Sequence, residues 1–141
     1  MQCAVNVLNS IGAIGYISEI NNPNKILEEC QKKDIPILAI RAVQAGALTS
    51  SMDREPNSLG FDEADFRDFD KALPFRKFAE EISETPASLA HRYALSIDQV
   101  GSVILGVKNR KELIECIEAE EKGLLDEDVM SNLEKLFKNM E

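Results

Sequence analysis

The sequence predicts an α/β fold in which three parallel strands are joined by helices. Three short apolar runs, residues 2–8, 35–43 and 101–107, are too short for most helices and are typical of buried strands. Segments with helical periodicity separate them, and an alternation of strand and helix indicates parallel pairing. The chain has 141 residues, the usual length of one domain, so we assign residues 1–141 to a single domain.

The first half of the chain predicts a strand, a helix and a second strand. The strand over 2–8 (QCAVNVL) is followed by a loop over 11–22, which is rich in Gly and Asn. A helix is expected to begin at Pro23 and to end before Pro36, with Ile26, Leu27 and Cys30 on its apolar face. After the strand over 35–43 (IPILAIRAV), a long loop runs from Gln44 to about Asp70; loops of this length are usually functional or mobile.

The second half predicts four helices around the third strand. Three helix starts are predicted in addition to the first helix. Thr85 and Pro86 indicate one, and Asn109 with Glu112, in a capping box, indicates the next. Asp126 indicates the start of the last helix. The expected apolar faces are Leu73, Phe75, Phe78, Ala79 and Ile82 in the first helix; Leu89, Ala90, Tyr93 and Ala94 in the second; Leu113, Cys116 and Ile117 in the third; and Val129, Leu133, Leu136 and Phe137 in the last.

Composition excludes several classes of function. The formal net charge is −9 and no basic face is concentrated, so we expect neither nucleic acid nor a membrane surface as a partner. Three cysteines without CxxC spacing predict free thiols and no metal site, which favours a reducing, cytoplasmic location. The sequence shows no signal peptide and no apolar stretch of about 20 residues.

Two segments that follow strands are candidates for ligand binding. Val43–Thr49 (VQAGALT) is built from small residues that let a backbone approach a pyrophosphate, although such a stretch is also typical of a plain tight loop. Gly106–Lys111 (GVKNRK) places three cations at a helix start, where the helix dipole already favours an anion. The three cations of the second segment are explained equally well by a phosphate site and by a solvated cluster of charges.

Other residues with reactive side chains have ordinary structural interpretations. His91 is the only histidine, and the sequence shows no cysteine or carboxylate partner for it, so we predict a polar residue on a surface-facing helical turn. Tyr93 is expected in the core and Tyr16 in a loop.

Several segments together resemble the C-terminal part of the aldo-keto reductase family. The stretches TPASLAHRYALS, SVILGVKNRKELIECIEAEE and LLDEDVMSNLEKLF resemble its last helices and its eighth strand. QCAVNVL is similar to the sixth barrel strand and ILAIRAVQAGALTS to the seventh. The resemblance therefore implies part of a (β/α)8 TIM barrel, with three parallel strands, crossover helices and a C-terminal helix.

The resemblance also implies an NADPH site and a small-molecule carbonyl substrate that is reduced to an alcohol. Gln2 matches the residue that holds the nicotinamide, and the loop along the pyrophosphate is matched by Arg41, Val43, Gly46 and Leu48. The turn after the eighth strand, which takes the 2′-phosphate, is matched by Gly106 and Lys108. Glu112 and Cys116 stand at positions near the adenine where the family usually has Gln and Asn.

The same resemblance places the family's catalytic Asp, Tyr, Lys and His on strands upstream of Met1, and Ile40 replaces a tyrosine that often stacks on the nicotinamide. We therefore expect a C-terminal fragment of an aldo-keto reductase that keeps part of the cofactor cradle, binds NADPH weakly or not at all, and is inactive by itself. The alternative is a non-catalytic half-barrel that acts as a self-associating binding or regulatory module. In either case three strands leave apolar surface and open edges, which predicts a homodimer or larger homo-oligomer.

Overall fold

The computed structural model describes residues 3–6, 28, 30–35, 37–50, 68–98 and 100–138. Within these residues, one sheet contains the strands β1 (Cys3–Asn6), β2 (Ile37–Ile40) and β3 (Val100–Val103), in that order. The central strand β2 is parallel to both neighbours, with Ile37 opposite Cys3 on one side and Val100 on the other. The three parallel strands predicted from the sequence are confirmed.

Two of the strands are shorter than predicted. The strand expected over 35–43 ends at Ile40, because Arg41 adopts a positive φ of 58° and turns the backbone out of the ladder. The strand expected over 101–107 begins at Val100 and ends at Val103. The Ile104 amide still donates to the Ala39 carbonyl at 2.8 Å, but the residues beyond it leave the sheet. In both cases the chain therefore leaves the sheet several residues before the end of the apolar run.

Four helices follow β2 in the described part of the chain. They are α1 (Leu73–Glu81), α2 (Pro86–Leu95), α3 (Arg110–Glu121) and α4 (Glu127–Lys138), with β3 between α2 and α3. Residues 28 and 30–32 are also helical, as predicted for the segment after Pro23. The segment predicted as a loop from Gln44 to Asp70 contains a 3₁₀ turn at Gln44–Gly46 and a helical turn at 68–71. The predicted loop over 11–22, which includes Tyr16, lies outside the described residues.

The predicted caps of α2 and α4 are present. The Thr85 hydroxyl accepts a hydrogen bond from the Ser88 amide at 3.1 Å, with Pro86 in the first helical position. The Asp126 carboxylate accepts one from the Val129 amide at 2.9 Å. Both helices therefore begin where the sequence predicts, because local side chains satisfy backbone donors that have no partner within the helix.

The main core lies where α1, α2 and α4 meet. Phe137 of α4 packs parallel to Phe75 at 6.0 Å between ring centroids and edge-on to Tyr93 at 5.1 Å. Leu89 and Leu133 are fully buried beside these rings, as the helical periodicity predicts. The expectation for Leu73 is wrong, because its side chain is 48% exposed at the start of α1. The aromatic cluster joins the last helix to the middle of the chain.

The buried face of α3 differs from the prediction. Cys116 and Ala119 are buried against the rest of the chain, whereas Leu113 and Ile117 are 43% and 49% exposed. Small side chains on the inner face allow the backbones of α2 and α3 to approach closely. The bulky apolar side chains of α3 consequently point away from α2, and the expectation that Leu113 and Ile117 face inward is wrong.

A charged network fixes the end of α3 against α2. The Arg92 guanidinium donates to Glu84 at 2.7 Å and to the Gly123 carbonyl at 2.9 Å, and the Lys122 ammonium donates to Glu84 at 2.8 Å. Burial raises the pKa of the Glu84 carboxyl, but the hydrogen bond from Lys122 and the two cations outweigh burial, so this pKa lies below its ordinary value. The network holds α3 at a fixed position beside α2.

Within the described residues, no helix is both long enough and apolar enough to cross a membrane.

The aromatic cluster gives a stability prediction. Replacing Phe137 by Ala removes a side chain that is only 2% exposed and leaves a cavity beside Phe75 and Tyr93. We expect the free energy of unfolding, measured by urea titration, to fall by about 3–5 kcal/mol. Leu124→Ala is the control, because Leu124 is 65% exposed, and a change within about 0.5 kcal/mol is expected there. Equal losses in the two variants would contradict this core.

Candidate functional site

A cleft with a volume of about 380 Å³ lies at the ends of β2 and β3. We name it the strand-end cleft, and the loop after β2, helix α2, the turn after β3 and the start of α3 form its walls. The lining residues are Val43, Gly46, Thr49 and Ser50 from the loop; Ala87 and His91 from α2; Gly106, Val107, Lys108 and Asn109 from the turn; and Lys111, Glu112, Glu115 and Cys116 from α3. Parallel strands end at one edge of the sheet, which brings these loops together.

The loop after β2 reverses direction within a few residues. Arg41, Gln44 and Gly46 all have positive φ, at 58°, 46° and 99°. The Gln44 amide donates to the Arg41 carbonyl at 2.8 Å, and the Thr49 hydroxyl donates to the Gly46 carbonyl at 2.7 Å. A Cβ atom added at Gly46 would meet no atom within 4 Å, so steric room does not require glycine there. The positive φ of the residue does favour glycine. The backbone at Gly46 is therefore open to a ligand.

Hydrogen bonds between Asn109 and Glu112, in both directions, cap the start of α3. Asn109 has extended backbone, and its side-chain oxygen accepts a hydrogen bond from the Glu112 amide at 3.1 Å. In return, the Glu112 carboxylate accepts hydrogen bonds from the Lys108 amide at 2.7 Å and from the Asn109 side-chain nitrogen at 2.9 Å. The predicted capping box is present in a variant form, because Glu112 reaches the amide of Lys108 and not that of Asn109.

The charge at this helix start is mixed. Lys108 and Lys111 line the cleft, and so do Glu112 and Glu115. The Glu115 carboxylate accepts a hydrogen bond from the Thr85 hydroxyl at 2.5 Å, which ties it to the start of α2. Backbone amides in the first turn of a helix have no acceptor within the helix. In α3 the Asn109 side chain caps one of them, the amide of Glu112. An anion at this end of the cleft would meet two ammonium groups and the positive end of the helix dipole.

His91 and Cys116 form a buried pair at the base of the cleft, which overturns the prediction for His91. The His91 side chain is 7% exposed instead of surface-facing, and its Nε2 lies 3.2 Å from the Cys116 Sγ. Burial lowers the pKa of His91, despite the opposing charge of Glu115, and burial with the charges of Glu115 and Glu112 raises the pKa of the Cys116 thiol. Both shifts favour the neutral forms of the imidazole and the thiol, which the hydrogen bond between Nε2 and Sγ joins.

The His91 Nδ1 has no hydrogen-bond partner among the described residues. A buried nitrogen without a partner costs stability unless a ligand or water satisfies it. His91 also lines the strand-end cleft.

The structure brings together most, but not all, of the residues that the sequence singled out. Val43, Gly46, Gly106, Lys108, Glu112 and Cys116 share the strand-end cleft. Arg41 is exposed and Leu48 is buried in the main core, and neither lines the cleft. Gln2 lies outside the described residues. A direct contact of Arg41, Leu48 or Gln2 with a cofactor stays a prediction.

Sequence reasoning missed His91 and Glu115 as cleft residues. The available signal was on α2, where Ala87, Ala90 and Ala94 lie on the same side of the helix as His91. Such a run of small residues predicts close packing against another helix, and a histidine beside it is then buried. No group of three or more His, Cys, Asp or Glu side chains in the described part of the chain is arranged to hold a metal ion.

The buried histidine predicts a pH-dependent stability. Because the pKa of His91 is lower in the folded state than its ordinary value of 6.5, the unfolded chain takes up this proton first as the pH falls. The stabilisation is therefore complete above pH 6.5 and is lost as the pH decreases below it. We expect the free energy of unfolding to fall more between pH 7.5 and 5.5 in the wild type than in His91→Gln, by at most about 1.4 kcal/mol per pH unit. Parallel pH profiles would contradict a neutral buried His91.

Residues 6–138 match the model of the aldo/keto reductase family, which is nearly the whole chain. No curated protein matches the chain. Members of this family are oxidoreductases with a (β/α)8 barrel that generally use NADP(H) and act on small carbonyl compounds. The open parallel sheet with flanking helices is consistent with part of such a barrel, and the chain belongs to the aldo/keto reductase family.

Proposed function

We propose that the strand-end cleft binds the phosphate-bearing adenosine end of NADPH, as part of the cofactor cradle of an enzyme that reduces small-molecule carbonyls. The observation that carries the proposal is the meeting of two strand-end loops with two lysines and a helix N-terminus in one cleft. Ligands of parallel α/β proteins bind at this edge of the sheet, where strand ends and helix starts present backbone groups.

The backbone of the cleft suits a phosphate group. An added side-chain carbon at Gly46 or at Gly106 would meet no atom within 4 Å, so both segments leave room for a ligand to reach the main chain. Val43 and Thr49 lie next to the first of these glycines, and the Thr49 hydroxyl is held by its bond to the Gly46 carbonyl. Small residues and a fixed turn at this position support a role along the pyrophosphate.

The lysines suit the additional phosphate that distinguishes NADPH from NADH. Lys108 lies at the turn before α3 and Lys111 in its first turn, both on the wall of the cleft. Cations are unfavourable at the positive end of a helix dipole, so a bound phosphate would stabilise the two lysines beyond what the Glu112 carboxylate at the same helix start does. Charge-assisted hydrogen bonds to phosphate are the strongest contacts such side chains make.

The reaction assigned to the family divides the chemistry between cofactor and protein. NADPH, when bound, would supply the hydride that reduces the carbonyl carbon. The described cleft would bind and orient the adenosine end, and no tyrosine is among its lining residues. His91 is neutral, buried and engaged with Cys116, which supports a positioning role in the cleft wall. We accordingly propose that the described residues contribute cofactor binding and not proton transfer.

A second candidate function is a non-catalytic half-barrel that associates with copies of itself. Large apolar side chains are exposed after β3 and along α3: Ile104, Leu105, Val107, Leu113, Ile114 and Ile117. Within the described residues β1 and β3 each have only one neighbouring strand, so their outer edges present backbone hydrogen-bonding groups. Burial of such surface between two copies would stabilise a homodimer.

Binding of NADPH provides the test of the first proposal. We expect isothermal titration calorimetry to show that Lys108→Glu weakens NADPH binding by at least about tenfold, because a charge-assisted hydrogen bond contributes roughly 1.5–3 kcal/mol. Lys77→Glu is the matched control, since Lys77 is exposed on α1 and does not line the cleft. Equal affinities in the wild type and both variants would show that Lys108 belongs to a solvated charge cluster.

Self-association is tested separately by sedimentation equilibrium. A dimer or larger oligomer of the 15.7 kDa chain is expected at micromolar concentration. Ile117→Lys, which places a charge on the exposed face of α3, should shift the equilibrium towards monomer. A compact monomer in the wild type would remove the self-associating candidate and would leave the cofactor proposal untouched.

A further inference from the structure

The carboxylate of Glu112 already acts as the anion of the α3 helix start. One of its oxygens accepts the Lys108 amide at 2.7 Å, and the other accepts the Asn109 side chain at 2.9 Å. Both bonds hold the carboxylate at the first turn of α3, where the helix dipole favours a negative charge. Glu112 lines the strand-end cleft together with Lys108 and Lys111. A ligand phosphate near Lys108 would therefore stand beside a negative charge that belongs to the protein.

Two kinds of nucleotide would respond differently to this charge. A ribose 2′-phosphate would repel the carboxylate and would compete with it for the Lys108 amide and the helix start. A free ribose 2′-hydroxyl can instead donate a hydrogen bond to a carboxylate, the contact by which acidic residues recognise NAD in other dinucleotide sites. Glu112 thus opposes the attraction that Lys108 exerts on a 2′-phosphate, whereas it favours a nucleotide without one.

We propose that Glu112 is a specificity-determining residue that reduces the preference of the strand-end cleft for NADP(H) over NAD(H). This inference rests on the proposed function, because it presupposes that the adenosine end of the cofactor lies in this cleft. The geometry that carries it is the pair of hydrogen bonds that fixes the carboxylate across the Lys108 turn. A freely rotating glutamate could move away from a phosphate, but Glu112 would have to give up both bonds.

An independent feature of the cleft points to a ligand. The His91 side chain, 7% exposed, lies on the wall of the cleft with its Nδ1 unpartnered among the described residues. A buried polar atom in this state is normally satisfied by a bound molecule or by water. His91 therefore contributes a buried polar side chain to the cleft that Glu112 also lines.

The test compares two fragments of the cofactors, adenosine 2′,5′-bisphosphate and adenosine 5′-monophosphate, by isothermal titration calorimetry on the full chain. For each variant, the affinity ratio of the bisphosphate to the monophosphate measures selectivity for the 2′-phosphate. Glu112→Gln removes the charge and keeps an oxygen that can accept from the Lys108 amide. We expect this ratio to rise about tenfold relative to the wild type, because one unfavourable charge contact is lost.

The control is Glu118→Gln, which changes the net charge equally on the same helix, at an exposed residue that does not line the cleft. Its ratio should stay within twofold of the wild type. Circular dichroism checks the fold of Glu112→Gln, in which Asn109 still caps the amide of residue 112. Glu112→Ala provides a second variant, whose ratio should shift in the same direction.

The outcomes separate the two proposals. If both nucleotides bind and the ratio is unchanged in the Glu112 variants, the specificity role is overturned while the cofactor proposal stands. A rise of equal size in Glu118→Gln also overturns it, because the effect would then come from net charge. If neither nucleotide binds the wild type or any variant, both proposals fail together.

Discussion

The parallel pairing of β2 with both β1 and β3 is the constraint on which the candidate site depends. Because the strands run in the same direction, the chain leaves β2 and β3 at one edge of the sheet, and the loops after them lie side by side. Arg41 ends β2 with a positive φ, and the Ile104 amide keeps the chain after β3 joined to Ala39 of β2. The cleft exists because these two exits meet under the start of α3.

Electrostatics within the cleft are balanced between attraction and repulsion. Lys108 and Lys111 complement a phosphate, whereas Glu112 already occupies part of the helix start. A single carboxylate therefore has two effects: it stabilises α3 when no ligand is bound, and it disfavours additional negative charge when one is. This arrangement explains how cations can stand at the positive end of a helix dipole, since Glu112 offsets part of their charge.

The sequence predicts much of the fold because its signals are local. Helix starts at Thr85 and Asp126 follow from capping side chains a few residues away, and the buried residues of α4 follow from helical spacing. The order of strands and helices follows from the lengths of the apolar runs. The residues at which β2 and β3 end cannot be predicted in this way. Leu105, for example, continues the apolar run in the sequence, although β3 has already ended at Val103.

The candidate site is less accessible from the sequence because it depends on packing. The capping pair Asn109–Glu112 is visible in the sequence, but the contact of His91 with Cys116 joins residues on different helices. Small residues on α2 allow the helices to approach closely enough to bury His91, which helical spacing alone places on the surface. The same packing leaves Leu113 exposed, because the small side chains of Cys116 and Ala119 form the buried face of α3.

The most direct measurement of the central claim is a nitrogen–proton correlation spectrum of the labelled chain during titration with adenosine 2′,5′-bisphosphate. If the strand-end cleft binds the phosphate-bearing adenosine end of NADPH, the largest amide shifts will cluster at Gly46, Gly106, Lys108 and Lys111 and will saturate together. Shifts confined to residues far from the cleft, such as those of α4, or an unchanged spectrum at millimolar nucleotide, would contradict the account.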